Sequence, residues 1–226
     1  MRMLFADRAD AGRALATALA SHQGARDTLV LGLPRGGVPV AYEVAMALDL
    51  PLDVVVVRKL GLPWQPELAM GAIASGGALV TNDEVVRHLR GDRAAFDAVR
   101  AREQAELERR EREFRGEQPP LDMRNRTGIL VDDGLATGAT MEVAVRALKA
   151  LGARRVVVAV PVASREARDR IAAVADEVVC LSTPMLFSAV GQWYGDFGQT
   201  ESEEVRDLLA RARARLGAST MAGGVR

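Results

Sequence analysis

Two adjacent carboxylates, Asp132 and Asp133, stand at the end of an apolar run, and a loop of small and hydroxylated residues follows them. The whole stretch reads Ile129-Leu130-Val131-Asp132-Asp133-Gly134-Leu135-Ala136-Thr137-Gly138-Ala139-Thr140-Met141. Physically it is a buried strand that presents two acids at its carboxyl end, then a tight turn into a helix. The first turn of a helix leaves amide donors unpaired and carries partial positive charge, so a phosphate is a natural occupant. Gly134 and Gly138 allow close backbone approach to an anion, and the Thr137 and Thr140 hydroxyls can add donors. A ribose 5-phosphate suits this pairing of groups. Its ring hydroxyls would donate to Asp132 and Asp133, and its phosphate would lie against the 137–140 loop. An acidic pair at a strand end is also compatible with a magnesium site of another α/β protein. A P-loop is disfavoured, because no Gly-Lys-Ser/Thr ending is present.

The apolar run, the acidic pair and the Thr-Gly-x-Thr loop together resemble the thirteen-residue signature of type I phosphoribosyltransferases, which use 5-phosphoribosyl 1-diphosphate (PRPP). The resemblance implies ribose 5-phosphate contacts from Asp132, Asp133, Gly134, Ala136, Thr137, Gly138, Ala139 and Thr140. It implies magnesium, bridging diphosphate and ribose hydroxyls, with Asp132 and Asp133 nearby. Leu33-Pro34-Arg35-Gly36-Gly37 is similar to the family's diphosphate loop, with Arg35 and the Gly36 and Gly37 amides as donors. Arg58-Lys59 matches the place where related enzymes end their second core strand in basic residues, which assigns these two to diphosphate as well. Asp132, Asp133 and Arg35 are the candidate catalytic residues. The sequence departs from purine-salvage members at Ala136, where they often carry an acid, and at Ala139, where they often carry Lys. An alanine cannot move a proton, so a purine acceptor loses its support. The pattern is most similar to phosphoribosyltransferases of unassigned acceptor.

The elements that must position these residues follow from hydrophobic spacing. Residues 7–20 predict a helix capped by Asp7 or Asp10. Strands are expected at Thr28–Leu33, Asp53–Val57, Ile129–Val131, Arg154–Val162 and Val178–Leu181, with helices at Val38–Leu48, Met141–Leu151 and Arg165–Val174. The strands are continuous runs of Val, Leu and Ile, which implies a parallel sheet buried on both faces. The fold class is therefore α/β, a five-stranded parallel sheet flanked by helices in one domain over 1–226, like that of the resembling family.

Residues 60–126 read as an insertion, a hairpin-plus-helix lid. Leu60–Leu68, with Pro63 and Pro66, is expected to be irregular, and Leu60–Met70, with Glu67, to begin a mobile loop over the donor. Gly71–Ala74 and Ala78–Thr81 form a hairpin around Ser75-Gly76-Gly77. Asp92–Glu117 is a charge-dense helix with Glu106/Arg110, Glu108/Arg112 and Glu111/Arg115 at i,i+4. The chain has only two tryptophans, two tyrosines and five phenylalanines, yet Phe187, Trp193, Tyr194 and Phe197 share one loop. Residues 183–200 are thus expected to form a small hood. Its rings either seal the sheet edge or stack on a planar acceptor through Trp193, Tyr194 and Phe197. A final helix starts near the capping box Thr200–Glu203 and ends at Leu216, followed by a frayed tail over 217–226.

Composition narrows the function further. The formal net charge is zero, so no global basic field points to nucleic acid or an anionic membrane. No apolar run approaches a membrane span, the early Asp7 and Arg8 leave no signal-peptide core, and a lone Cys180 fits a reducing compartment. The expected setting is cytoplasmic. His22 and His88 lie in surface-like contexts and are not assigned to chemistry. The reading is a magnesium-dependent transfer of phosphoribose from PRPP to an unidentified nucleophile, a nitrogenous base being favoured, with release of diphosphate. The alternatives are a PRPP-sensing regulatory protein and a nucleotide or PRPP hydrolase. Homodimers are common in the resembling family, although no dimer seam can be read from the residues.

Overall fold

Residues 3–62, 64–82, 85 and 93–222 are described in the computed structural model, the side chains of residues 66, 67 and 217–222 excepted. Pro63, His88 and the last four tail residues therefore lie outside the described residues. Helix α1 (Arg8–Ala18) begins at Asp7, whose carboxylate accepts the Asp10 amide as an N-cap. Strand β1 (Thr28–Gly32), helix α2 (Gly37–Leu48) and strand β2 (Leu52–Val54) follow. The second half of the sheet is β6 (Thr127–Val131), α4 (Ala139–Ala150), β7 (Arg155–Val162), α5 (Arg165–Ala172) and β8 (Glu177–Ser182). These strands form the expected five-stranded sheet in the order β2-β1-β6-β7-β8, parallel at every pairing.

Alternation along each strand sends successive residues to opposite faces, and here both faces are apolar. Val30, Ile129, Val131, Val157 and Ala159 join α1, α2 and the last helix, α6 (Ser202–Ala222), in one core. Leu29, Leu31, Leu130, Val156, Val158 and Val160 join α4 and α5 in the other. The final helix runs on past the expected end at Leu216, so residues 217–222 are helical rather than frayed.

The insertion differs from expectation in two places. The run Asp53–Val57 is not one strand: β2 ends at Val54, and Val57 already belongs to β3 (Val57–Leu62) of a second sheet. The turn is fixed by Ser75, whose hydroxyl accepts the Val56 amide at 2.9 Å. Leu60–Leu68 is also regular for most of its length. β3 pairs antiparallel with β4 (Gln65–Ala74), which pairs with β5 (Ala78–Thr81) across the predicted Ser75-Gly76-Gly77 turn. Prolines mark edges and irregular registers in sheets, and the β3–β4 register does shift between Leu60 and Leu62. The long helix α3 (Arg93–Arg115) packs Val99, Leu107 and Phe114 into the first core. On its outer face Glu106 and Arg110 pair at 2.9 Å as expected. Arg109 and Arg110 together hold the Glu106 carboxyl down at about 2. The other two helix pairs are replaced. Glu108 receives the Gln104 amide at 2.9 Å, and Arg115 turns inward to Asp53 on β2, also at 2.9 Å.

Candidate active site

The sheet order reverses between β1 and β6, since the chain leaves β1 for one edge and β6 for the other. At such a switch point the two following loops diverge and open a crevice at the carboxyl ends of the strands. Both predicted anion loops lie there. Val131 of β6 pairs with Gly32 of β1, and Leu33 donates its amide to the Val131 carbonyl at 2.9 Å. A side chain on Gly36 would overlap Asp133 Oδ2. One on Gly37 would lie 2.7 Å from the Val131 carbonyl and 2.9 Å from Asp132 Oδ1. The diphosphate-loop candidate and the acid pair therefore touch, and only glycine allows it.

The acids are held from three sides. Asp132 Oδ1 accepts the Asp133 amide at 2.9 Å. Arg8, on the first turn of α1, directs Nε and Nη2 at Asp133 Oδ2, each at 2.9 Å. The same guanidinium donates through Nη1 to the Gly198 carbonyl at 2.7 Å and lies 4.0 Å from the centre of the Phe197 ring. Tyr194 donates its hydroxyl to the Asp133 carbonyl at 2.6 Å. Burial pushes the Asp132 carboxyl well above the usual range, and the neighbouring Asp133 charge pushes the same way. Burial raises Asp133 too, against the pull of Arg8. Burial likewise raises the Tyr194 phenol, which keeps it a neutral donor.

Gly138 takes φ 75° as it caps α4, a conformation that its lack of Cβ allows at no steric cost. Ala136, Thr137, Ala139 and Thr140 are exposed around it, with Gly134 buried behind. Ser164, which sequence reasoning missed, anchors this loop. Its amide donates to the Leu135 carbonyl at 2.9 Å, and its hydroxyl donates to the Ala136 carbonyl at 2.8 Å. Arg35 stands at the crevice with its guanidinium 3.3 Å from Glu201. That pair is exposed, so it holds Arg35 only weakly.

Two parts of the predicted site do not assemble. Arg58 and Lys59 are inside β3, not at the end of a core strand, because the sheet changes at Val56. Arg58 is engaged with Glu103 of α3 at 2.6 Å, and Lys59 lies on the exposed side of β3. In the hood, Trp193 and Tyr194 are buried to 6% and 4% exposure with Phe5, Ala11, Val162 and Phe187. Their ring area is covered by side chains, so the stacking wall reduces to Phe197, which keeps 36% exposure. The missed residue of greatest consequence is Arg8. An Arg following a helix N-cap gives no sign in the sequence that it will meet an acid 125 positions away.

Comparison with known proteins agrees with this geometry. The chain belongs to the phosphoribosyl transferase domain family, whose model matches residues 64–192. It is 54% identical over 209 residues to "Putative phosphoribosyl transferase Rv0571c" of Mycobacterium tuberculosis H37Rv, and equally to its counterpart MT0597 of strain CDC 1551. Those matches cover 92% of this chain and 47% of each relative. This chain thus spans about half the length of the curated relatives that it matches. Among solved structures, TT1426 of Thermus thermophilus is 48% identical and superposes with a TM-score of 0.82, over 92% of this chain and 99% of that one. The fold is accordingly that of a type I phosphoribosyltransferase. The matched family segment contains the acid pair and the 137–140 loop, whereas Arg8 and Arg35 precede it and enter the site through geometry.

Proposed function

We propose that this protein transfers phosphoribose from PRPP to a nitrogenous nucleophile and releases diphosphate. The observation that carries the reading is the contact of Gly36 and Gly37 with Asp132 and Asp133, which brings two separate anion loops to one pair of carboxylates. The 5-phosphate would lie on the 137–140 loop against the amides that α4 leaves unpaired. The ribose hydroxyls would donate to Asp132 and Asp133, and the diphosphate would meet Arg35 and the Gly36 amide; the Gly37 amide, expected as a further donor, is already given to the Leu33 carbonyl at 3.1 Å. When the bond from the anomeric carbon to diphosphate breaks, positive charge develops on the ribose and negative charge on the departing group. The carboxylates face the first and Arg35 the second, an arrangement of fixed charge that favours the separated state. Attack by the nucleophile's lone pair on the anomeric carbon completes the transfer.

Magnesium belongs to this proposal as part of the donor. Among the described residues no group of three or more His, Cys, Asp or Glu side chains is placed to hold a metal ion, and Asp133 is already engaged by Arg8. Two carboxylates so placed suit an ion held mainly by diphosphate and ribose oxygens. Such an ion would neutralise charge on the leaving group. Among the described residues no helix is long and apolar enough to cross a membrane, and a cytoplasmic role in nucleotide metabolism is part of the same reading. Ala136 supplies no acid or base, so the acceptor must either ionise by itself or receive help from another residue.

The test is diphosphate release from PRPP and magnesium, screened against purines, pyrimidines and pyridines, alongside calorimetry with PRPP. Release that depends on one class of base, together with PRPP affinity at least about ten-fold weaker in Asp133→Asn, is the expected result. Release without any acceptor would make the protein a hydrolase. Binding without release would make it a sensor.

A further inference from the structure

The N-terminal segment is built into the site. The Leu4 and Phe5 amides donate to the Trp193 carbonyl at 2.9 and 3.1 Å. In return, the Gly195 and Asp196 amides donate to the Phe5 and Ala6 carbonyls at 2.9 and 2.8 Å. Phe5 packs against Tyr194 with ring centres 5.6 Å apart, and Tyr194 holds the Asp133 backbone. Arg8 closes this clamp. One guanidinium reaches the Asp133 carboxylate, the Gly198 carbonyl and the Phe197 ring, and only 14% of its side chain remains exposed.

The way Arg8 meets Asp133 matters for what Asp133 can do. Nε and Nη2 converge on a single oxygen, Oδ2. The described hydrogen bonds leave Asp133 Oδ1 without a donor, and they leave Asp132 Oδ2 likewise, since only Asp132 Oδ1 receives the Asp133 amide. Each carboxylate therefore has one tethered oxygen and one available oxygen. A vicinal diol presents two hydroxyl donors, and each would need one such acceptor. A carboxylate fixed by a charged donor on one oxygen cannot rotate freely, so less ordering remains to be done when a hydroxyl arrives on the other.

Resting on the phosphoribosyltransferase reading, we propose that Arg8 is a positioning residue for the sugar. It locks Asp133 so that Oδ1 faces the ribose hydroxyls, and it couples this lock to the hood through Gly198 and Phe197. Arg8 engages neither the diphosphate loop nor Arg35 in any described hydrogen bond or ion pair. Its Nε does pack beside Gly36 of that loop, where a side chain would meet it at 3.4 Å, but its charge is spent on Asp133, so its removal is expected to cost the sugar more than the diphosphate. The contrary arrangement, in which Arg8 plugs the site and leaves when sugar binds, predicts the opposite sign.

The experiment compares wild type, Arg8→Met and Arg8→Lys by calorimetric titration with ribose 5-phosphate, with magnesium diphosphate and with PRPP, after thermal melts have verified folding. The expected result is ribose 5-phosphate affinity about ten-fold weaker in Arg8→Met, diphosphate affinity within about two-fold of wild type, and an intermediate ribose 5-phosphate value for Arg8→Lys. If Arg8→Met does not fold, Arg8→Lys alone decides. It keeps the charge but not the two-pronged donor, and must still weaken the sugar while sparing diphosphate. Unchanged or tighter ribose 5-phosphate binding, or equal losses for both ligands, would overturn the role of Arg8. Wild-type protein that binds neither ribose 5-phosphate nor PRPP would instead overturn the underlying functional reading, and is recognisable before any variant is made.

Discussion

The rim of the parallel sheet and the inserted hairpin-plus-helix region both carry arginines that a linear reading assigns to diphosphate, yet they treat these side chains differently. At the rim, Arg35 makes one exposed contact, with Glu201 at 3.3 Å. In the insertion, Arg58 is locked to Glu103 at 2.6 Å, and Arg115 to Asp53 at 2.9 Å, each with partly or largely buried partners. A buried carboxylate needs its cation, because an uncompensated charge inside a protein is expensive. Arg58 is therefore a structural residue that joins β3 to α3, while Arg35 remains available to a ligand. The type of residue and its place near a strand end were the same. The difference is the partner that tertiary packing supplied.

Substitutions can test how far this contrast holds. The largest effect is expected at the rim, from Gly37→Ala, whose new methyl would lie 2.7 Å from the Val131 carbonyl and 2.8 Å from Asp132 Cα. Neither backbone atom can turn aside, so stability should fall by about 2–3 kcal/mol and PRPP binding should be lost, as read by denaturant melts and calorimetry. Retained binding would mean that the two loops can separate without harm. Arg35→Ala comes next. It should weaken diphosphate by roughly ten-fold with ribose 5-phosphate nearly unaffected and stability hardly changed. Equal losses for the two ligands would erase the distinction between the loops.

The smallest effect on ligands belongs to the insertion. Arg58→Met should cost about 1–2 kcal/mol in denaturant melts by leaving the buried Glu103 to the exposed Arg102 alone, leave diphosphate affinity at the wild-type value, and regain stability in the Arg58→Met/Glu103→Leu double variant. A diphosphate deficit in Arg58→Met would restore the assignment that the ion pair removed.

The hood teaches a related lesson about aromatics. Its four rings could serve a ligand or a core, and periodicity offers no means of choosing in a loop. Phe5 decided the matter, because a ring from the far N-terminus pairs with Tyr194 and helps to bury Trp193 nearby. Phe197 keeps 36% exposure even with Arg8 over its ring and Tyr194 beside it.

The order of the strands across the sheet was not legible in the residues alone, whereas the succession of core strands and helices, their parallel pairing and the two glycine-bearing loops were. Each of these is written locally: a continuous Val, Leu and Ile run is buried on both faces wherever it lies, and glycines beside acids permit the same turn in any context. The break after β2 was not legible, since Asp53–Val57 is uniformly strand-like and the hydroxyl that ends it comes from Ser75. Nor were the long-range partners of the charged groups, in contrast to the local pair of Glu106 and Arg110. Arg8 to Asp133, Arg58 to Glu103 and Arg115 to Asp53 are contacts between distant parts of the chain, and no local pattern encodes them. Sequence determined which chemical groups this protein has and which short segments could cradle an anion. Tertiary structure decided which of those groups stay free to act, because charge and ring area are committed by whichever surface packs against them.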